Sequence, residues 1–345
     1  MTDSTAPTTL KTADLVNATL ATIDRERERE IISRRFGLFD RKETLEQIGE
    51  LLGITRERVR QLEKAVVTRL KVSAEQGNLP NISEVQTTLL DELHKLGEVA
   101  RVSDLGARLG DNSKVEQSRI AFLARLCPEL AVIEDDDNYF QSVTVRSVFD
   151  EKSLKSTVDK LIASIKKLGE PKTIEEIAKA AGVSNTTQAA ALASTSKQLA
   201  HLNGRWGLVK WPMVNPKNIR DKIYVILKEQ GKHMHFNEIA EAIKGSDFKR
   251  KDVTTQAIHN ELIKDKRFVL IGRGIYALKE WGYEKGTVAD IIAEVLRKEG
   301  GPLHRDEIVK RVLKSRYVKE TTILLNLQGK SQFKRVAKAT YALAE

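Results

Sequence analysis

The stretch Thr44–Lys71, TLEQIGELLGITRERVRQLEKAVVTRLK, leaves the backbone few choices. Leu45, Ile48, Leu51 and Leu52 recur at helical spacing, Gly53 follows where the chain must turn sharply, and Thr55 stands where a second helix needs a cap. With Val59, Leu62 and Val66 as the inward stripe of that helix, a step of about 100° per residue sends Glu57, Arg60, Gln61 and Lys64 outward, with Arg56 on the flank. An ordinary solvated face favours Glu and Lys in i, i+4 pairs. This face instead mixes side chains suited to base edges: Arg pairs bidentately with guanine, Gln with adenine, and Glu accepts from the cytosine amino group. Two short helices joined by a tight turn, presenting such a face, are expected to read duplex DNA.

Residues 24–71, above all EREIISRRFGL (28–38), TLEQIGELLGITRERVRQLE (44–63) and the RLK that follows, resemble region 4 of the housekeeping sigma factor family, the domain that reads the -35 promoter box. The resemblance implies that the second helix enters the major groove. It places the base-reading positions on Arg56, Glu57 and Gln61 and phosphate-side positions on Arg58 and Arg60, with Thr55 and Lys64 as further phosphate candidates. It also implies a protein partner, the flap of the RNA polymerase β subunit. A sigma factor of this kind melts DNA with an aromatic-rich region upstream of region 4, and only some 23 residues precede the match here. Opening a promoter unaided is therefore not expected.

The chain has 345 residues, enough for several domains, and its 58 basic against 48 acidic residues suit a nucleic-acid partner without requiring one. Cys127 is the single cysteine, so neither an intrachain disulfide nor a Cys-based zinc site is available. The N-terminus lacks a signal-peptide pattern and no stretch approaches the roughly 18 apolar residues of a membrane span. A soluble protein of the bacterial cytoplasm, associated with the nucleoid, is expected.

Residues 1–12 are polar and Thr-rich and read as a mobile tail. A leading helix from about Ala13 completes a segment 1–23, and the helix-turn-helix domain occupies 24–72. Ser73–Ser83, with Gly77, Asn78, Pro80 and Asn81, reads as the boundary that closes it. Beyond it a pattern of about 60 residues recurs four times, at 84–142, 152–212, 216–282 and 286–345. Each repeat opens with an amphipathic helix (from Val85, Leu154, Ile219 and Val288) that ends at Gly97, Gly169, Gly231 or Gly300. A second helix starts at Arg101, Thr173, His235 or His304, with an acid three residues on; Thr173 and Glu176 make a capping box. After a third helix come two β-like runs, clearest in Phe268–Ile271 and Ile275–Leu278 around Gly272-Arg273-Gly274, with an aromatic recurring at Tyr139, Trp206, Tyr276 and Tyr341. The expected fold is mainly α with small β-hairpins: an N-terminal helix-turn-helix followed by four tandem winged-helix units. KHMHFNEIAEAI with FVLIGRGIYAL, and GPLHRDEIVKRVL with ATYAL, make the last two repeats similar to the HARE-HTH family, which includes the N-terminal domain of the RNA polymerase delta subunit.

Charge distinguishes the repeats. The first has 6 basic against 12 acidic residues, including Glu134-Asp135-Asp136-Asp137, and should avoid phosphate; the others have 10 against 4, 15 against 10 (counted over 216–285) and 12 against 7. Arg205, Arg273 and Lys338 in the hairpins, and Lys249-Arg250-Lys251, are candidate secondary phosphate contacts. No catalytic constellation emerges. His233 and His235 have metal-like spacing, but His235 and His304 fill one recurring slot, which points to capping or packing. Gly272-Arg273-Gly274 lacks the rest of a nucleotide loop. Cys127 reads as a small buried hydrophobe, and Trp206, Trp211 and Trp281 as packing residues.

The expectation is a non-enzymatic, sequence-specific DNA-binding transcription regulator without cofactor, metal or small-molecule substrate, working on double-stranded DNA in contact with RNA polymerase core at the β flap. Two other readings compete: a delta-like polymerase accessory protein gripping the flap with little base readout, and the non-catalytic recognition subunit of a DNA modification or defence system.

Overall fold

The computed structural model describes residues 10–283 and 285–344. Among them are sixteen α-helices and eleven short strands, all antiparallel where they pair. The chain divides into two compact units at Val209/Lys210. No helix among the described residues is long and apolar enough to cross a membrane.

The first unit begins with α1 (Thr12–Ala21), α2 (Glu26–Phe36), α3 (Leu45–Leu52) and α4 (Arg56–Glu75). It continues with α5 (Ile82–Leu96), β1 (Val99–Arg101), α6 (Val102–Leu109), α7 (Lys114–Leu126), β2 (Leu130–Ile133) and β3 (Ser142–Val145). Then come α8 (Glu151–Leu168), α9 (Ile174–Ala181), α10 (Thr186–Thr195), β4 (Leu199–Leu202) and β5 (Arg205–Leu208). The second unit holds α11 (Ile219–Gln230), β6 (Met234–His235), α12 (Phe236–Lys244), α13 (Thr255–Lys264), β7 (Phe268–Gly272) and β8 (Ile275–Leu278). It ends with α14 (Val288–Glu299), β9 (Leu303–His304), α15 (Arg305–Ser315), α16 (Glu320–Gly329), β10 (Phe333–Ala337) and β11 (Thr340–Leu343).

One order of elements therefore recurs: helix, short strand, two helices, hairpin. The last strand of each hairpin lies between its partner and the short strand, giving the sheet orders β1-β3-β2, β6-β8-β7 and β9-β11-β10. In the repeat built on α8, a bridge from Lys172 to Trp206 stands in for the short strand. Local chemistry sets the frame. Gly97, Gly169, Gly231 and Gly300 end the first helices in the left-handed conformation. Arg101, Thr173, His235 and His304 precede the second helices in extended conformation, and Thr173 and His235 close capping boxes with Glu176 and Glu238. The imidazoles of His235 and His304 accept backbone N–H groups of Asn237 and Asp306. Tyr139, Tyr276 and Tyr341 are buried; Trp206 is half-buried, its ring 4.9 Å from that of His201.

Several expectations need correction. The first nine residues of the expected tail lie outside the described residues, but Leu10 and Thr12 are buried, and the Thr12 hydroxyl donates to Glu116 at 2.5 Å. Leu51, expected inside, is 55% exposed, because the core under α3 is small and Leu45, Ile48 and Leu52 suffice to fill it. The two helices expected from Val85 and Leu154 start about one turn earlier, at Ile82 and Glu151, the latter behind an Asp150/Ser153 capping box. Residue 142, the expected end of the first repeat, is the first residue of β3.

The largest difference concerns Ser73–Ser83. Its Gly, Pro and Asn residues do interrupt the helices, yet packing continues across it. One cluster joins Leu15, Val16 and Leu20 of α1, Ile32 of α2, and Val66, Leu70 and Ala74 of α4 to Leu89 and Leu93 of α5 and to Ile120, Phe122 and Leu123 of α7. Glycine and proline report backbone geometry; which apolar faces meet is decided by long-range packing.

The other half of the first unit is sealed in a similar way. Helix α10, TTQAAALAST, carries no charge, and Ala189, Leu192, Ala193 and Thr195 on it are buried. A Cβ at Gly97 (φ +99°) would lie 2.9 Å from the Gln188 backbone, so only glycine allows this approach. The run 134–137 takes part in the closure. Asp135 pairs with Lys197 at 3.0 Å, Asp136 with Lys155 at 3.3 Å, and Glu134 with Arg125, while Phe140 N–H donates to the Thr195 carbonyl. The expected repulsion from phosphate is thus joined by a structural use of these charges.

Cys127 is 1% exposed, and burial pushes its thiol up to about 12. Thiolate is then scarce near neutrality. Iodoacetamide at pH 8 is expected to spare the folded chain and modify it completely in denaturant; native labelling at the rate of a free thiol would contradict this placement.

Candidate nucleic-acid interface

Two cores, one small and one large, hold the two ends of α4. Near its start, Val59 packs with Ile31 of α2 and Ile48 of α3, flanked by Leu45, Leu52, Ile54 and Leu62. Farther along, Val66, Leu70 and Ala74 enter the larger cluster already described. The turn between α3 and α4 is tight: Ile54 N–H donates to the Gly49 carbonyl, and a Cβ on Gly49 would meet the Ile54 carbonyl oxygen at 2.7 Å. Thr44 and Gln47 form a capping box on α3, and the Thr55 hydroxyl accepts Arg58 N–H at 3.2 Å to start α4. Arg27 of α2 donates to the Leu52 carbonyl, Arg35 pairs with Glu63 and Arg69 with Glu28, so α2 is tied to the end of α3 and to the middle of α4.

This scaffold leaves Thr55, Arg56, Glu57, Arg58, Arg60, Gln61 and Lys64 all exposed on the first turns of α4. Helical period gives their exposure but not their mutual contacts. Arg60 grips Glu57 with two hydrogen bonds, at 2.8 and 2.7 Å, Gln61 donates to the same carboxylate at 3.3 Å, and Arg58 donates to the Gln61 side-chain oxygen at 3.4 Å. Hydrogen bonding from Arg60 holds the Glu57 carboxyl below its ordinary range, and Glu57 in turn raises the Arg60 guanidinium. A signal for the pair is present in the sequence, since Glu and Arg three apart on a helix are neighbours. Glu57 is expected to accept from a base, but without DNA its oxygens already hold Arg60 and Gln61. Arg56 makes no side-chain bond or ion pair among the described residues, and neither does the Lys64 ammonium.

The secondary candidates are scattered. Arg205 is exposed at the start of β5, paired with Leu202 across the hairpin. Lys249, Arg250 and Lys251 are exposed on the loop before α13, where Lys251 donates to the Ser246 carbonyl and the buried Lys222 donates to that of Arg250. Arg273 is exposed between β7 and β8, and Lys338 between β10 and β11. Among the described residues no three metal-ligating side chains converge.

The family model for Sigma-70, region 4 matches residues 25–72. Over the same length the chain is 50% identical, across 46 residues, to RNA polymerase sigma factor sigB of Arabidopsis thaliana (13% of this chain, 8% of that one). It is 50% identical across 48 residues to RNA polymerase sigma factor RpoD of Helicobacter pylori strain ATCC 700392 / 26695 (13% and 7%). With RNA polymerase sigma factor SigA of a Bacillus species the figure is 47% across 47 residues (13% and 12%). The segment is a sigma-70 region 4 domain; the match covers about a tenth of those relatives' length.

Proposed function

We propose that the protein is a DNA-binding transcription regulator whose region 4 domain reads a -35-like promoter element with the start of α4. The observation that carries this reading is the unobstructed outward face of Arg56–Lys64 within a segment matching region 4. Arg56, Glu57 and Gln61 are assigned to base edges, with Thr55, Arg58, Arg60 and Lys64 on phosphates. Glu57 can accept from a base while still holding Arg60 or in exchange for it, and an exchange would leave Arg60 free for a phosphate. The recurring order of helices and hairpins supports four winged-helix units after region 4, the last two HARE-HTH-like, with Arg205, Lys249, Arg250, Lys251, Arg273 and Lys338 as outlying phosphate contacts. We assign the chain no catalytic step and place it in the bacterial cytoplasm, on the nucleoid.

Association with RNA polymerase follows from the same segment. The inner faces of α1, α2 and α4 are closed by α7, where the rings of Phe36 and Phe122 lie 5.1 Å apart and Arg119 donates to the Leu38 carbonyl. A polymerase contact, including the β flap, therefore falls on what remains exposed, with Phe39, Leu51 and Val72 its large apolar side chains. The accessory-protein reading gains support from the pairing of Glu57 with Arg60, which lessens the free base-reading chemistry. Selection of bound duplexes from a random pool, with and without core polymerase, separates the two. One enriched motif in both arms is the expected result. An unenriched pool together with retention of polymerase would leave only the accessory role.

A further inference from the structure

The basic residues of the second unit are unevenly placed. Lys249-Arg250-Lys251 are flanked by Asp247 and Asp252. By contrast, from Lys319 to Ala344 the chain carries five bases, Lys319, Lys330, Lys334, Arg335 and Lys338, against the single acid Glu320. All five are exposed, and none of them enters an ion pair among the described residues. Arg60, Arg267 and Arg311, by comparison, are held in ion pairs.

These charges fall on one helix and the hairpin that follows it. Lys319 and Lys330 stand at the two ends of α16, and the other three lie on the hairpin that follows. Of the five residues of β10, only Phe333 is buried; Lys334 to Ala337 are exposed on both faces of the strand. The first strands of the other hairpins each bury a larger share, two of four in β2 and three of five in β7. β10 is an edge strand, and lysines on such an edge also discourage strand addition. That role needs one or two charges near the edge; it leaves those at both ends of α16 unexplained. Unpaired charges on a projecting arm repel one another unless an anion lies between them.

We propose that α16 and the β10–β11 hairpin form a second DNA contact that grips the phosphate backbone without reading bases. This rests on duplex DNA being the partner of the chain. Phosphates spaced along a duplex match bases distributed over a helix and an arm better than a single bound anion does. The contact supplies affinity, while the choice of sequence stays with α4.

The test is a salt titration of duplex binding by fluorescence anisotropy, using the full chain and its Lys334→Gln/Arg335→Gln/Lys338→Gln variant. Each phosphate contact contributes about 0.9 to the slope of log K against log salt, so removing three should flatten it by about 2.7. Raising salt from about 50 to about 200 mM would then weaken the parent about 40-fold more than the variant. A Lys334→Arg/Lys338→Arg control should retain the parental slope, which separates the effect of charge from that of structure. Equal slopes for parent and neutral variant would overturn the proposal, as would tighter binding of single-stranded RNA of the same length that is abolished in the neutral variant. The reader variant Arg56→Ala/Gln61→Ala is titrated alongside. Absent base preference with an intact hairpin-dependent slope would refute the promoter reading alone; base preference with a slope indifferent to the hairpin would refute the second contact alone.

Discussion

Replacing Arg56 and Gln61 by alanine is expected to weaken binding to the preferred duplex by about 1 to 3 kcal/mol for each bidentate pairing with a base that is removed, and to relax selectivity at the corresponding base pairs. Both side chains are exposed on the first two turns of α4, and neither belongs to the cores that hold that helix. The variant should therefore unfold at the parental temperature. The effects divide between the two positions: Arg56 makes no intramolecular side-chain bond among the described residues, whereas Gln61 also donates to Glu57 and accepts from Arg58. Removing Gln61 leaves the Glu57–Arg60 pair in place, so its effect should appear in base preference more than in salt dependence. A randomised-site selection that returns the parental motif from the double variant would rule out this face as the reader.

The largest loss of stability is expected from Phe122→Ala. Phe122 is fully buried on α7, in the cluster that joins α1, α2 and α4 to α5 and the first sheet. Truncating a phenylalanine in such a site costs about 3 to 5 kcal/mol, through the transfer energy of the ring and the cavity left behind. For a unit of this size that corresponds to a drop in melting temperature of roughly 6 to 20 °C. The instructive part is where the damage appears. Because one cluster serves both segments, the region 4 helices should melt together with those that follow them, and duplex binding should fail at the same temperature. A calorimetric trace in which 25–72 survives as a separate transition would show that the two segments fold independently.

What can be read from the chain and what cannot divide along a physical line. Glycines at helix ends, capping residues at Thr55 and Thr173, and the recurring slot filled by His235 and His304 all act within a few residues of their own position, and they locate most helix ends to within a turn. The exposure of Arg56, Glu57, Arg60, Gln61 and Lys64 follows from helical period alone. Faces that touch across a hundred residues leave no such local trace. Thr12 looks like part of a polar tail until Glu116 of α7 is brought to it, and the acidic run 134–137 looks like a free patch until Lys155 and Lys197 are brought to it. Helix α10 illustrates the same limit: its alanines signal close packing, but only the approach of Gly97 to Gln188 identifies what fills the space. The Glu57–Arg60 pair is the exception, a local interaction whose spacing is visible in the sequence but which helical period, read for exposure alone, passes over.

Helix α4 is twenty residues long, about 30 Å of unbroken rod, with the exposed side chains proposed to read bases at one extremity and the other anchored in the interior that α5 and α7 help to build. There is no joint between the two. Whatever sequence such a rod settles on also fixes the compass bearing of the helices rooted at its far end, as a key seated in a lock fixes the angle of its bow. Where those helices point along or away from a promoter would then be dictated by operator placement, and shifting the site by half a turn of duplex would swing them to the opposite side.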